Sequence, residues 1–230
     1  MTATAEVSAQ KKFSRVYPAG QNVRIQLMNR MGTVTVEGWN RNEVAIAATL
    51  EAPAANIVPQ NLSGTIVINV VRDNQGRGEV GNVNFLIRVP FSSMVDIETR
   101  IGNLNVSNIR GGLVRAHISS DGDITLLNIA SAAVSAENGI GDILFDGEIQ
   151  DNGNYRFTSM SGNISVRIPF ESSYKLVATA PSTRNISLGA CAGASFSPFG
   201  NGRRMVGKCG DGSAAMTVTN QRGAITFLRR

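Results

Sequence analysis

From Phe13 onward, apolar and polar residues alternate along the chain in short segments that are separated by Gly, Pro, Asn and Asp. Residues 23–27, for example, read Val-Arg-Ile-Gln-Leu, which has the two-residue period of a half-buried β-strand. No segment shows a convincing helical period of 3.6 residues. The pattern therefore predicts an all-β protein, with further strands over residues 32–36, 44–50, 65–71 and 83–89.

A five-residue motif recurs within residues 95–188: Gly, a small polar residue, a branched apolar residue, a polar or small residue, and an apolar residue. Its glycines are 20, 19 and 21 residues apart, at Gly102, Gly122, Gly141 and Gly162. A second repeat relates residues 88–94 to residues 167–174, in which Arg, Pro and Phe each recur 79 residues later. A fixed period of about 20 residues is typical of a solenoid. Both features therefore predict a short β-solenoid with two strands in each coil.

The same pattern predicts which side chains fill the interior, because side chains alternate between the two faces of a strand. The expected inward stacks are Leu104, Val106, Ile124, Leu126, Ile143, Phe145, Ile164 and Val166. The polar residues that follow the glycines should point outward or into the turn. These are Asn103, Asp123, Asp142 and Asn163.

We predict one solenoid domain over residues 13–230, after a flexible lead at residues 1–12. Residues 13–90 have longer strands and more proline, which favours a more sheet-like portion that caps the solenoid. Residues 91–230 should form regular coils, interrupted by a Gly-rich excursion at residues 189–212. No stretch of about 18 apolar residues predicts a transmembrane helix. The lead has no apolar segment of the kind found in signal peptides.

Charge is concentrated at the end of the sequence. The chain of 230 residues has 22 Lys and Arg against 17 Asp and Glu, a net charge of +5. Its last thirty residues hold six basic residues and the single acid Asp211, so the first 200 residues are neutral. An anionic partner, such as a membrane surface, an acidic polysaccharide or nucleic acid, is one interpretation. A solvated end that discourages aggregation is the simpler one.

The excursion at residues 189–212 contains both cysteines, Cys191 and Cys209. An even pair that closes one loop predicts a disulfide, which would stabilise the fold by about 3 kcal/mol and would indicate an exported protein. Free thiols would instead favour the cytoplasm. Aromatic and basic residues in and near this loop suit recognition, although a loop that covers the solenoid end would look similar. The candidate binding residues are Phe196, Phe199, Arg203, Arg204, Lys208 and Arg222.

Catalytic and metal-binding motifs are absent from the sequence. His117 is the only histidine. It stands at a polar position of an alternating strand, which is typical of an exposed side chain. Asp121, Asp123 and Asp142 should lie near one another, and carboxylates so placed could hold Ca²⁺ or cleave a sugar chain. However, Asn103 and Asn163 occupy the same motif position as Asp123 and Asp142, which favours turn chemistry. We therefore predict neither an enzyme nor a cofactor or metal site.

The repeated motif, residues 32–39 (Gly-Thr-Val-Thr-Val-Glu-Gly-Trp) and residues 223–227 (Gly-Ala-Ile-Thr-Phe) resemble the bacterial β-strand-repeat domain family called "putative adhesin". The resemblance covers about residues 13–230. It implies a right-handed β-helix-like fold and association with the cell envelope, and it carries no catalytic residue to this sequence.

These observations leave three hypotheses for function. The first is an adhesin-like binding or structural scaffold, extracellular or periplasmic, that holds a glycan or an envelope protein and does not bind nucleic acid specifically. The second is a β-helical protein that assembles end to end into filaments, because exposed coil edges are able to pair. The third is a carbohydrate-active enzyme that uses Asp121, Asp123 and Asp142.

Overall fold

The structure is a computed structural model that describes residues 10–191 and 193–230. Residues 1–9 of the predicted lead lie outside the described residues, and the first strand already begins at Lys11. The described chain is all-β except for a one-turn helix, α1 (Val70–Asp73), and a 3₁₀ turn at Thr183–Asn185.

The described strands form two sheets whose inward side chains share one buried core. Sheet one contains, in spatial order, β1 (Lys11–Pro18), β4 (Glu43–Leu50), β7 (Val83–Pro90), β3 (Val34–Trp39), β9 (Leu104–Ser107), β11 (Ile124–Ile129), β13 (Ile143–Gly147), β15 (Ile164–Ile168), β21 (Ile225–Arg229) and β17 (Ile186–Ser187). Sheet two contains β18 (Ser195–Phe199), β19 (Arg204–Cys209), β16 (Tyr174–Thr179), β20 (Ala214–Asn220), β14 (Asn154–Ser161), β12 (Ala133–Ile140), β10 (Leu113–Asp121), β8 (Met94–Ile101), β2 (Arg24–Met28), β6 (Thr65–Asn69) and β5 (Gln60–Leu62).

Each central coil places one strand in each sheet, and equivalent strands of successive coils pair in parallel. Val114 of β10 pairs with Val134 of β12, and Ile124 of β11 pairs with Ile143 of β13. All eight side chains that the alternation places in the interior are buried, with exposed fractions of at most 2%. The predicted β-solenoid and its inward stacks are therefore present in the structure.

Glycine is required at the corner where the chain passes from sheet two to sheet one. Gly102, Gly122, Gly141 and Gly162 all have positive φ, which other residues adopt only with strain. A Cβ atom on any of the last three would collide with the carbonyl oxygen of the corner glycine in the neighbouring coil. The repeating glycine of the motif is thus a packing requirement between coils.

The spatial order of the strands departs from the sequence order at both ends of the molecule. The first coil, β2 and β3, lies between the coil of β6 and β7 and the coil of β8 and β9. The last coil, β20 and β21, lies between the coil of β14 and β15 and that of β16 and β17. Residues 13–90, expected to be sheet-like, therefore mix two parallel coils with the antiparallel strands β1, β4 and β5.

The excursion at residues 189–212 contains a β-hairpin. Strands β18 and β19 pair antiparallel and extend sheet two beyond β16. The predicted disulfide is present between Cys191 and Cys209, whose Cα atoms are 5.9 Å apart. It joins the segment after β17 to the end of β19 and so closes this end of the solenoid covalently.

Candidate functional site

The outer face of sheet two carries a group of cations near its C-terminal end, which we call the basic surface. Strand β16 alternates buried Tyr174 and Leu176 with outward Lys175 and Val177. This alternation turns every second residue of the strand to solvent. The basic surface consists of Arg156, Lys175, Arg204 and Lys208 on the sheet, with Arg203 and Arg222 at the adjoining corner.

Strand register sets the spacing of these cations. Lys175 pairs directly with Lys208 across β16 and β19, whereas Arg204 pairs with Thr179 at the other end of the same strands. Lys208 is four residue steps along the strand from Arg204, which corresponds to about 13 Å between their Cα atoms. Val177 pairs with Val206 midway between these cations, and the two side chains form an uncharged part of the surface.

The corner residues are held in place by backbone hydrogen bonds. The Thr183 N–H donates to the Gly202 carbonyl at 2.8 Å, and the Ala180 N–H donates to the Arg203 carbonyl at 2.9 Å. The tip of the hairpin is thereby fixed against the segment that follows β16. Arg222 lies at the same corner, where its carbonyl accepts a hydrogen bond of 3.0 Å from the Gly162 N–H.

The cations of the basic surface lack ion-pair partners in residues 10–191 and 193–230, where none has a carboxylate within 4.0 Å. The same face of sheet two is neutralised nearer its N-terminal end, where Asp96 binds Arg24 at 2.8 Å and Arg115 at 3.3 Å. Like charges directly opposite each other, such as Lys175 and Lys208, destabilise a sheet by a few tenths of a kcal/mol. An anionic ligand would remove that repulsion.

Asp211 lies at the edge of the basic surface and is engaged elsewhere. Its carboxylate accepts hydrogen bonds from the Ser173 hydroxyl and, at 2.9 Å, from the Ser213 N–H. These bonds, the Ser173 contact first, lower the pKa of Asp211 below its usual value, and the charge of Lys208 adds to the shift. Asp211 therefore stays ionised but is held by the corner turn.

The predicted binding residues divide into two groups in the structure. Arg203, Arg204, Lys208 and Arg222 are exposed at the same end of the solenoid. Phe199 is also exposed, by 61%. Phe196 instead is half-buried against the core and lies over Gly207, so it supports the hairpin and presents little surface to a ligand.

Sequence reasoning missed Arg156 and Lys175. Their signal was the two-residue period, since each stands between buried apolar residues in its strand. What no sequence pattern shows is that β19 pairs with β16, and that β20 separates β16 from β14. Only this order brings Lys175 opposite Lys208 and places Arg156 two strands away.

The acidic residues of the motif serve the backbone. Asp123 accepts a hydrogen bond of 2.8 Å from the Asp142 N–H, and Asp142 accepts one of 2.7 Å from the Asn163 N–H. Asn103 accepts in the same way from the Asp123 N–H at 2.9 Å. An amide oxygen and a carboxylate oxygen both fill this role, which explains why both Asn and Asp occur at this position. Asp121, on the strand before the corner, does not take part in these contacts.

His117 lies on the outer face of sheet two between Glu98 and Glu137 of the neighbouring strands. Its Nδ1 atom is 4.0 Å from a carboxylate oxygen of Glu98. In the described part of the chain, no three His, Cys, Asp or Glu side chains are grouped closely enough to hold a metal ion.

The two stacked sheets and their in-register coils define a β-solenoid repeat protein. The Toastrack DUF4097 family model matches residues 1–226. The chain therefore belongs to the Toastrack DUF4097 family, in agreement with the resemblance seen in the sequence. Over residues 10–191 and 193–230, no helix is both long and apolar enough to cross a membrane.

The solved structures to which this chain is similar share little sequence with it. A "putative cell adhesion protein" from Clostridium sporogenes is 13% identical with a TM-score of 0.52, covering 96% of this chain and 100% of its own. A "putative adhesin" from Bacteroides fragilis is 9% identical with a TM-score of 0.40, covering 97% and 99%. A "putative lipid binding protein" from Parabacteroides distasonis is 11% identical with a TM-score of 0.39, covering 94% and 96%. Only the first supports the fold, and no curated protein sequence matches the chain.

Proposed function

We propose that this chain is a non-enzymatic, adhesin-like scaffold of the bacterial cell envelope, and that its basic surface holds an anionic glycan. The observation that carries the proposal is the gathering at one end of six cations that have no carboxylate partner among residues 10–191 and 193–230, while the other 16 basic and 17 acidic residues of the chain nearly cancel. Such a surface attracts a polyanion and speeds its association.

The shape of the surface favours an extended ligand. Lys175, Lys208 and Arg204 are fixed by paired strands, so little order is lost when a ligand binds. Arginine recognises carboxylates through two parallel hydrogen bonds, which suits Arg203, Arg204 and Arg222 to acidic sugars. The exposed ring of Phe199, paired with Arg204 in the hairpin, adds an apolar contact surface.

The disulfide supports an exported location, because cysteines stay reduced in the cytoplasm. The right-handed winding and a coil length of about 20 residues are part of the same proposal and rest on the family resemblance and the repeat period.

Two alternatives are less well supported by the geometry. Filament growth needs free strand edges, yet β17 has two residues, β5 has three, and β18 contains Pro198. The fourth edge strand, β1, carries Lys11, Lys12 and Arg15, which oppose pairing between copies.

A sugar-cleaving enzyme needs available carboxylates, and those of Asp123 and Asp142 accept hydrogen bonds from the backbone.

The proposal is tested by the binding of fluorescent polygalacturonate, with neutral dextran as the comparison polymer. The variant Lys175→Glu, Arg204→Glu, Lys208→Glu should weaken polygalacturonate binding about tenfold or more at 0.1 M salt. A matched variant, Lys11→Glu, Lys12→Glu, Arg100→Glu, makes the same change in net charge elsewhere and should weaken binding by less than about threefold.

Equal losses in the two variants would mean that net charge alone attracts the polymer, and the basic surface would then have no specific role. Equal binding of dextran and polygalacturonate would overturn the choice of an anionic ligand. Binding that falls as salt is added, with the steepest fall in the unmodified protein, is the expected result.

A further inference from the structure

Both ends of the chain are interlocked with coils that are distant in sequence. In a simple solenoid, the first and last coils lie at the ends of the stack and have one neighbour each. Here the last coil, β20 and β21, has neighbours on both sides: β20 pairs with β14 and β16, and β21 pairs with β15 and β17. The first coil, β2 and β3, is enclosed by β6 and β7 on one side and by β8 and β9 on the other.

This arrangement changes what happens when the chain is pulled. An edge strand separates when one ladder of hydrogen bonds breaks, whereas an enclosed strand separates only when two ladders break. In β20, residues 214–219 pair with β16 while residues 215–220 pair with β14, so nearly the whole strand is held on both sides. Tension on the C-terminus therefore first meets β21, which pairs with β15 over residues 225–229 and with β17 at residues 225 and 226, and then meets β20, which is held on both sides.

Tension on the N-terminus first meets a weaker element. Strand β1 is an edge strand that pairs only with β4 among the described strands, so it should peel away. The next strand, β2, is enclosed by β6 and β8 and should stop the unravelling. Each end thus has a point at which peeling stops.

The disulfide reinforces the strands that lie on the outer side of the last coil. It joins Cys191, after β17, to Cys209, at the end of β19. A load that enters through β21 and β20 reaches Cys209 and then passes directly to Cys191. The hairpin between them lies outside this load path and cannot be drawn out while the bridge is intact.

We propose that the interlocked ends have a mechanical function: they let the molecule carry tension between its two chain ends without unravelling coil by coil. The biological use of this property rests on the proposed role as an adhesin, since a scaffold that joins two bodies is pulled at its ends. The mechanical property itself is independent of the ligand.

Optical tweezers test this property on the full chain under two pulling geometries. In the first, handles are attached to the two chain ends. In the second, the C-terminal handle is moved to an Asn201→Cys thiol at the exposed tip of the β18–β19 hairpin, which is at the sheet edge. Both geometries load β1, so its early release serves as an internal standard.

In the end-to-end geometry, the C-terminal event that releases β20 should need at least about twice the force of hairpin release. This event should also release more than the 16 residues of 214–229, because loss of the enclosed coil removes the pairing partners of the strands on either side of it. Reduction of the disulfide should lower that force and lengthen the released segment by the residues between Cys191 and Cys209.

A separate step of about 55 Å, the length of residues 214–229 alone, at the force of hairpin release would overturn the proposal. The polygalacturonate assay applies no force, so its outcome and this one are independent. A protein that binds the polymer but unravels coil by coil would lose the mechanical function and keep the binding function.

Discussion

The two ends of the solenoid are closed by the same topology and by different chemistry. At the N-terminal end, antiparallel strands lie beyond the inserted coil, whose Arg24 is paired with Asp96 at 2.8 Å and whose Glu37 is paired with Arg88 at 3.0 Å. At the C-terminal end, a disulfide-linked hairpin lies beyond the inserted coil, and the cations of the basic surface have no carboxylate within 4.0 Å in the described part of the chain. Since the N-terminal end closes without a disulfide, closure alone does not require the bridge. We propose that binding accounts for the cations of the basic surface and that load or export accounts for the bridge.

The corner chemistry, in contrast, is shared by both ends. Gly32 and Gly223 continue the column of corner glycines, each with positive φ. The Asn84 side chain accepts from the Thr33 N–H at 2.8 Å. Asn163 accepts from the Ala224 N–H at 3.1 Å. The inserted coils therefore use the same contacts as the central coils, although their neighbours come from elsewhere in the sequence.

The largest predicted effect tests the corner glycine packing that both ends share. Gly32→Ala and Gly223→Ala should each lower the free energy of unfolding by about 3 kcal/mol or more, because the new Cβ would meet backbone atoms of the adjacent coil at a strained φ. Urea denaturation followed by circular dichroism measures both variants.

Gly112→Ala is the control, since no atom lies within 4 Å of its added Cβ. It should change stability by less than about 0.5 kcal/mol. If only one of the two corner variants were destabilised, the ends would not share one packing device, and the comparison would fail at its first step.

The central coils could be predicted from the sequence because their period is local. The corner glycines, the inward stacks and the turn role of Asn and Asp all repeat at about 20 residues, so each copy supports the others. Gly32 and Gly223 carry the same motif and identify the first and last coils as members of the stack. Their pattern contains no information about which coil lies beside them.

The strand order at the two ends and the full set of residues in the basic surface could not be predicted, because no local pattern specifies which strand lies beside another. Any parallel strand with alternating apolar residues satisfies the ladder of its neighbour, so β14 could have paired with β16 as well as with β20. The register of Lys175 against Lys208 depends on a hairpin that returns antiparallel after the excursion. The sequence did place Arg204, Lys208 and the disulfide at one end, because they are close in the chain.

The next prediction removes the covalent difference between the ends. The double variant Cys191→Ala, Cys209→Ala should lower the free energy of unfolding by about 3 kcal/mol, as expected for a loop of this size. Hydrogen exchange should show faster exchange in β19 and β20 and unchanged protection in β2 and β3. Equal loosening of both ends would show that the bridge stabilises the whole solenoid and not its C-terminal end.

The smallest predicted effect depends on a buried tyrosine that is present at the C-terminal end. Tyr174 is 1% exposed and stacks on Phe227, with ring centroids 6.1 Å apart. Burial raises the pKa of the Tyr174 phenol from 10.0 to about 12. Because the unfolded chain loses this proton at lower pH than the folded chain, the stabilisation is fully present below pH 10 and falls as pH rises toward 12.

The expected loss over this interval is about 2 kcal/mol, and Tyr174→Phe should remove it, since phenylalanine keeps the ring and has no proton to lose. Urea denaturation at pH 9, 10.5 and 11.5 measures the difference between the two proteins. Tyr155, whose pKa is also raised by burial, is unchanged in both and cancels from the comparison. Parallel loss of stability in the two proteins would show that Tyr174 is not the group that makes the C-terminal end sensitive to alkali.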